Sequence, residues 1–268
     1  MQDLWGRIYI NMSDDRARVT AIVNQKGGVG KSTTAVNLGA ALGREDRRVL
    51  LIDIDPQGNA TSGLGLDKSS LEFTVYDLLL EEGEFSQVVV ELEEEEISLI
   101  PSNIDLAGAQ IELVSHISRE KRLARALQDQ LHRYDHAFID CPPSLGLLTL
   151  NALSAADDLL IPIQCEYYAL EGLGQLLDTI ELVQNNLNPS LTIKGVLLTM
   201  YDARTNLSSQ VAGEVEEYFS RQIYETVIPR NVRLSEAPSF GETIFSYAPS
   251  SRGAEAYRDL AQEVLADD

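Results

Sequence analysis

Lysine is nearly missing from this 268-residue chain. There are five lysines, against 42 aspartates and glutamates and a formal net charge of −21 at neutral pH. Two of the five, Lys26 and Lys31, fall within six residues of each other. A lysine-poor acidic surface suits either an ordinary acidic cytosolic protein or one adapted to a high-salt cytoplasm, and the scarcity of lysine favours the second. Cysteine occurs twice, as Cys141 and Cys165, which excludes a disulfide framework. His116, His132 and His136 form no metal-ligand spacing with them. No apolar run approaches the roughly 18 residues of a membrane span, and no basic-then-apolar leader opens the chain. There is no repeat and no linker rich in Pro, Gly or Ser. A soluble cytoplasmic protein is expected, with one domain over 17–268 behind a disordered extension over 1–16.

Lys26-Gly27-Gly28-Val29-Gly30-Lys31-Ser32-Thr33 organises the rest. It follows an apolar run of strand length and leads into a helix-favouring stretch. In that context a glycine loop lets the backbone approach a polyphosphate and aim N–H groups at it. Lys31 supplies charge for the β and γ phosphates, and the Ser32 hydroxyl is a Mg²⁺ ligand type. The usual loop pattern would place Gly at position 25, which is Gln25 here, while a second lysine, Lys26, precedes the glycines.

Strands are predicted over 19–24, 48–52, 137–140, 158–164, 193–200 and 224–228. Helices are predicted over 32–43, 75–82, 104–115, 119–133, 147–156, 169–186, 210–221 and 253–265. Residues 88–98 read as strand, acidic turn, strand, with Glu93–Glu96 a solvated tip. Short apolar strands alternating with helices predict an α/β fold: a doubly wound, mainly parallel sheet with helices on both faces. Ligands of such sheets sit at the carboxyl ends of the strands, where Asp53, Asp55 and Asp140 are expected. Asp140 follows a buried strand, as a Mg²⁺-holding carboxylate does, and Asp55 is placed to orient a water near a γ-phosphate.

Several stretches together resemble the ParA/Soj partitioning ATPases, a deviant Walker A group of P-loop NTPases. They are the phosphate loop from Asn24 to Thr33, Leu51 to Ala60, Asp140-Cys141-Pro142-Pro143-Ser144, Gln164 to Gly172, Asp202-Ala203-Arg204-Thr205-Asn206 and Ile228 to Pro238. The resemblance covers roughly 17–266. It implies ATP and Mg²⁺ as cofactors and an ATP-state homodimer with the nucleotides at its interface. Gly27, Gly28, Val29, Gly30, Lys31, Ser32 and Thr33 would hold the phosphates, with Ser32, Asp55 and Asp140 serving Mg²⁺. Lys26 would reach the partner's nucleotide as an arginine finger does, an effect worth roughly 10³–10⁵ in rate in GTPases. Pro229 and Asn231 would hold the adenine. Arg204, Arg230 and Arg233 would bind DNA without sequence preference, on the nucleoid, until a ParB-like centromere-binding activator stimulates hydrolysis. No membrane is expected. The alternative is a MinD-like or other nucleotide-gated positioning or scaffold ATPase that does not use DNA. The MinD branch ends in a basic amphipathic helix, whereas this tail is acidic.

Overall fold

The computed structural model describes residues 16–166, 173–219 and 222–267. Seven strands form one sheet: β1 (Arg18–Ile22), β2 (Val49–Asp53), β3 (Val90–Leu92), β4 (Ile97–Ile100), β5 (His136–Asp140), β6 (Asp158–Gln164) and β7 (Thr192–Thr199). Their order is β3-β4-β2-β5-β1-β6-β7. Every pairing is parallel except the edge hairpin β3–β4. The central strands are buried on both faces, which is why they read as unbroken apolar runs. Alternate residues serve opposite cores. Leu50 and Ile52 of β2 join one, and Val49 and Leu51 the other. The second core also takes in α1 (Lys31–Gly43) and the last helix, Arg252–Ala266, whose Tyr257 hydroxyl meets Thr34 Oγ1 at 3.2 Å.

Register fixes where chemistry can happen. Ile22 at the end of β1 pairs with Asp140 of β5, and Asp140 pairs with Asp53 of β2. Three neighbouring strands therefore end at one level, just below the glycine loop.

Several boundaries differ from the sequence reading. Residues 1–15 lie outside the described residues, and Arg16 already belongs to the fold, donating to the Asp157 carboxylate at 2.5 and 3.1 Å. The stretch 119–133 is not one helix. It comprises a 3₁₀ turn at Arg119–Lys121, a helix at Arg122–Gln128 and another turn at Leu131–Arg133. Asn151 ties down the first break by donating to Arg119 O and accepting from Leu123 N, while Leu131 O is drawn to Ala17 N. The expected strand over 224–228 is reduced to single bridges, Val196 with Ile223 and Tyr201 with Pro229. Proline has no N–H to continue a ladder.

The acidic run is the largest correction. Glu93, Glu94 and Glu96 are exposed, but Glu95 is buried. Its carboxylate accepts from Thr243 N at 3.3 Å and Thr243 Oγ1 at 2.6 Å, and pairs with Arg44 at 3.4 Å. One residue of a charge run thus bolts the edge hairpin to the C-terminal segment. Glu95→Ala strands two buried donors and is expected to cost about 2–3 kcal/mol. Glu94→Ala, at the exposed glutamate next to it, should stay within about 0.5 kcal/mol. Urea midpoints check this, and equal midpoints would return the whole run to a solvated tip.

Candidate functional site

The glycine loop is pinned at both ends by side chains from neighbouring strands. Asn24 Oδ1 accepts from Lys26 N at 2.9 Å, and its Nδ2 donates to Pro162 O at 2.8 Å. Thr199, at the carboxyl end of β7, donates through Oγ1 to Val29 O at 2.8 Å. Gly28 and Gly30 take positive φ, 75° and 94°, which side-chain-bearing residues rarely adopt. At Gly27 and Gly28 a Cβ would have no heavy atom within 4 Å. The space over the loop is open, as a cradle for an anion must be. No side chain caps α1 and no acidic residue occupies its first turn. Its N–H groups and the positive end of its dipole are left to a ligand.

Lys31 is buried and its Nζ donates to Lys26 O at 3.3 Å, within the loop. Burial lowers its pKa, opposed by the charges of Asp140, Cys141 and Asp55. Lys26 is half-buried, and its ammonium has no partner among the described residues. Asp140 is fully buried, and neither carboxylate oxygen meets a donor at hydrogen-bonding geometry. Burial and the neighbouring Asp53 hold its pKa well above the usual carboxylate range, against the pull of the Ser32 hydroxyl and Lys31. A buried carboxylate without donors is costly unless a cation completes it. Asp140 together with the Ser32 hydroxyl therefore fits Mg²⁺, a hard ion that takes oxygen ligands.

The other two aspartates divide differently. Asp53 accepts from Thr61 N, Thr61 Oγ1 and Asp55 N at 2.9, 2.8 and 3.1 Å, so its oxygens are consumed inside the protein. Burial raises its pKa to about 6. It acts as a bracket. Thr61 also accepts from Ser102 N, and Ser102 Oγ donates to Asp55 O at 2.8 Å. This bracket fixes the loop that carries Asp55. Asp55 Oδ1 accepts from Gln57 N at 2.9 Å, and its other oxygen has no protein partner among the described residues. No group of three His, Cys, Asp or Glu side chains among the described residues converges as a metal site, so Asp53, Asp55 and Asp140 do not form one by themselves. Sequence reasoning missed Thr61, Ser102 and Thr199. The only available signal was a polar residue at a strand end, for Thr199.

Pro229 and Asn231 line a cavity of ≈ 390 Å³ that reaches Gly30 and Thr33 and is closed by Thr199 and Tyr257. Asn231 also accepts from Arg233 N at 2.9 Å, capping the short helix Val232–Glu236. Arg230 lines the same cavity, whereas Arg204 and Arg233 are exposed and do not line it. Cys141 and Cys165 are buried and free, and burial lifts the Cys165 thiol to about 11. Tyr167 to Gly172, part of one of the resembling stretches, lie outside the described residues.

Comparison with known proteins agrees with this fold. A family model described as an AAA domain matches residues 17–193. The sporulation initiation inhibitor protein Soj of Bacillus subtilis is 61% identical over 250 residues, spanning 93% of this chain and 99% of Soj. The chain belongs to the Soj/ParA family of chromosome-partitioning ATPases. The chromosome partitioning protein ParA of Myxococcus xanthus is 52% identical, over 94% of this chain and 89% of that protein. A solved structure from Mycobacterium smegmatis, named cobyrinic acid a,c-diamide synthase and holding ADP and magnesium, is 43% identical. It superposes with a TM-score of 0.83 over 93% of this chain and 94% of its own. In this family member the register of β1, β5 and β2 brings Asp53 and Asp140 to one level beside the glycine loop.

Asp140→Asn tests the buried carboxylate. Without nucleotide and with EDTA, the variant should unfold later than wild type, by about 1–3 kcal/mol, because a buried carboxylate without donors is gone. The thermal shift that Mg-ATP gives wild type should shrink or vanish. A less stable variant that still responds fully to Mg-ATP would remove Asp140 from the metal site.

Proposed function

We propose that this family member is an ATP-driven partitioning motor of the cytoplasm. ATP joins two copies into a dimer, the dimer holds DNA without sequence preference, and partner-stimulated hydrolysis releases it. The observation that carries this reading is the 229–234 loop. Pro229, Arg230 and Asn231 line the nucleotide cavity, and two residues on, Arg233 stands on the outer surface of the same short segment. Tyr201 bridges to Pro229 and accepts from Arg230 N at 3.0 Å, which ties the Arg204 loop to it. A change in what fills the cavity is thus felt directly where the arginines stand. The sequences shared with chromosome-partitioning relatives support the same cargo.

The residues divide the chemistry. The loop N–H groups and Lys31 take the phosphates. Asp140 and Ser32 take Mg²⁺, which when bound neutralises charge developing on the phosphates. Asp55, with one oxygen fixed on Gln57 N, presents the other to a water. Lys26, unpartnered among the described residues, is available to the nucleotide of the second copy. A ParB-like protein that settles this second lysine would act as the activator.

The fold is shared with a solved cell division ATPase MinD and so does not separate the MinD-like alternative, but the last helix argues against it. The apolar face of the last helix, Ala254, Tyr257, Leu260, Ala261 and Val264, is spent in the core. No helix among the described residues is long and apolar enough to cross a membrane.

Binding to a random-sequence duplex, with ADP and with ATP, tests the reading. Wild type should bind with ATP only, and Arg233→Ala should weaken binding at all sequences alike, as loss of a phosphate contact does. Intact ATP hydrolysis with no DNA binding in any state would sink the DNA-carrier mechanism. Lys26→Ala should keep ATP binding and lose hydrolysis by a factor of about 10² or more. Undiminished turnover in that variant would remove the lysine from catalysis.

A further inference from the structure

The three arginines of the presumed DNA face are not free cations. Arg204 makes a bidentate pair with Asp202, Nε and Nη2 donating at 2.8 and 2.7 Å, and its backbone N–H donates to the same carboxylate at 3.0 Å. Arg233 Nη1 donates to Glu236 at 2.8 Å. Arg230 Nη2 donates to Glu166 at 2.7 Å. The guanidinium groups face water: the side chains are 87%, 58% and 55% exposed for Arg204, Arg233 and Arg230. They sit on two loops joined by the Tyr201–Pro229 bridge, close enough that Arg230 also lowers the pKa of Asp202, after the larger effect of Arg204 itself. The six groups sum to zero charge. On a chain of −21 this patch offers a distant polyanion no net attraction.

We propose that Asp202, Glu236 and Glu166 are part of the DNA site as competing internal anions, which DNA binds by exchanging for its own phosphates. This rests on the DNA reading above. Asp202 holds Arg204 in the planar, two-donor geometry that a phosphate oxygen pair would take, so that fork is set before DNA arrives, while Glu236 and Glu166 each hold their arginine through one hydrogen bond. The tethered carboxylate also sets a threshold. A lone phosphate must displace an acid held two or three residues away, or on the neighbouring loop. A duplex, with one charge per about 1.7 Å of its axis, presents several phosphates at once and wins all three exchanges together. The site therefore takes closely spaced polyanions and refuses single phosphates and mononucleotides. The Glu166–Arg230 exchange is the one that the nucleotide biases, since Arg230 also lines the cavity.

The test is the affinity of a fluorescent random-sequence duplex for the ATP-bound protein at about 0.15 M KCl, repeated near 1 M, where screening is about 8 and 3 Å. Asp202→Asn and Glu236→Gln keep side-chain acceptors for Arg204 N and the Tyr247 hydroxyl, so the local fold is preserved. Each should tighten binding about threefold at the lower salt, and the double variant about tenfold, the scale of exposed ion pairs combined additively. Glu45→Gln makes the same charge change on an exposed residue beyond the far end of α1 and should leave affinity unaltered. In an Arg204→Ala background, Asp202→Asn should gain nothing, because there is no guanidinium left to release. The inference falls if wild type binds DNA and the carboxylate variants bind no tighter. It falls equally if Glu45→Gln tightens as much, or if the Asp202→Asn gain survives without Arg204. Absence of DNA binding by wild type and every variant would overturn the DNA reading itself, and this inference with it.

Discussion

A phosphate chain is too highly charged to enter a protein interior unless donors and cations meet it at every oxygen. That requirement governs the carboxyl end of this sheet. The positive end of α1 is left uncapped, two glycines turn through positive φ, and the space above them is clear. The sheet register then brings Asp140 to the same level and buries it without donors. Each of these is unfavourable in the empty protein. An uncapped helix end, a buried lysine held on a carbonyl and a carboxylate with no partner all cost folding free energy. The two cores, one on either face of the sheet, supply the stability that makes such a site tolerable.

Around that site the protein uses charge in two distinct ways. Inside, aspartates of similar sequence context do different work. Asp53 satisfies Thr61 and Asp55 and never reaches the ligand, while Asp55 keeps an oxygen free and Asp140 keeps both. What distinguishes them is the count of donors aimed at each. Outside, an acidic surface surrounds arginines that already hold acids. Affinity for a polyanion then depends on which anion each guanidinium prefers, and not on the net charge of the chain.

How much of this was legible follows from how local each cause is. The strand at Asp158–Gln164 and the helix at Lys31–Gly43 are written in their own apolar patterns, and the sequence reading places them within a residue. The phosphate loop is equally local, because glycine, lysine and serine act where they stand. Glu95 could not be read, since its burial depends on Thr243, 148 residues away. The bracketing role of Asp53 depends on Thr61 and Ser102, and the break in 119–133 depends on Asn151. The Asp202–Arg204 pair lies two residues apart and was visible in principle; the Glu166–Arg230 pair spans 64 and was not. The cavity around Pro229 and Asn231 came into view only through family resemblance, because no pattern in residues 228–238 says that they fold back over Gly30.

The packing of the last helix on the first has a consequence for how the protein is made. Tyr257 meets Thr34 across 223 residues, and Gly253 lies so close to Leu234 that a Cβ there would come within 2.8 Å. The helix that follows the phosphate loop is synthesised well before the one that covers it. Until then α1 rests on the sheet, with Ile22, Val49, Leu51 and Phe138 in the same core, but lacks the cover of the last helix. Domains fold as units while translation proceeds at about 5–20 residues per second, so this chain spends some ten seconds or more with its nucleotide site unfinished. A chain still short of that helix therefore lacks the packing that fixes α1 behind the phosphate loop.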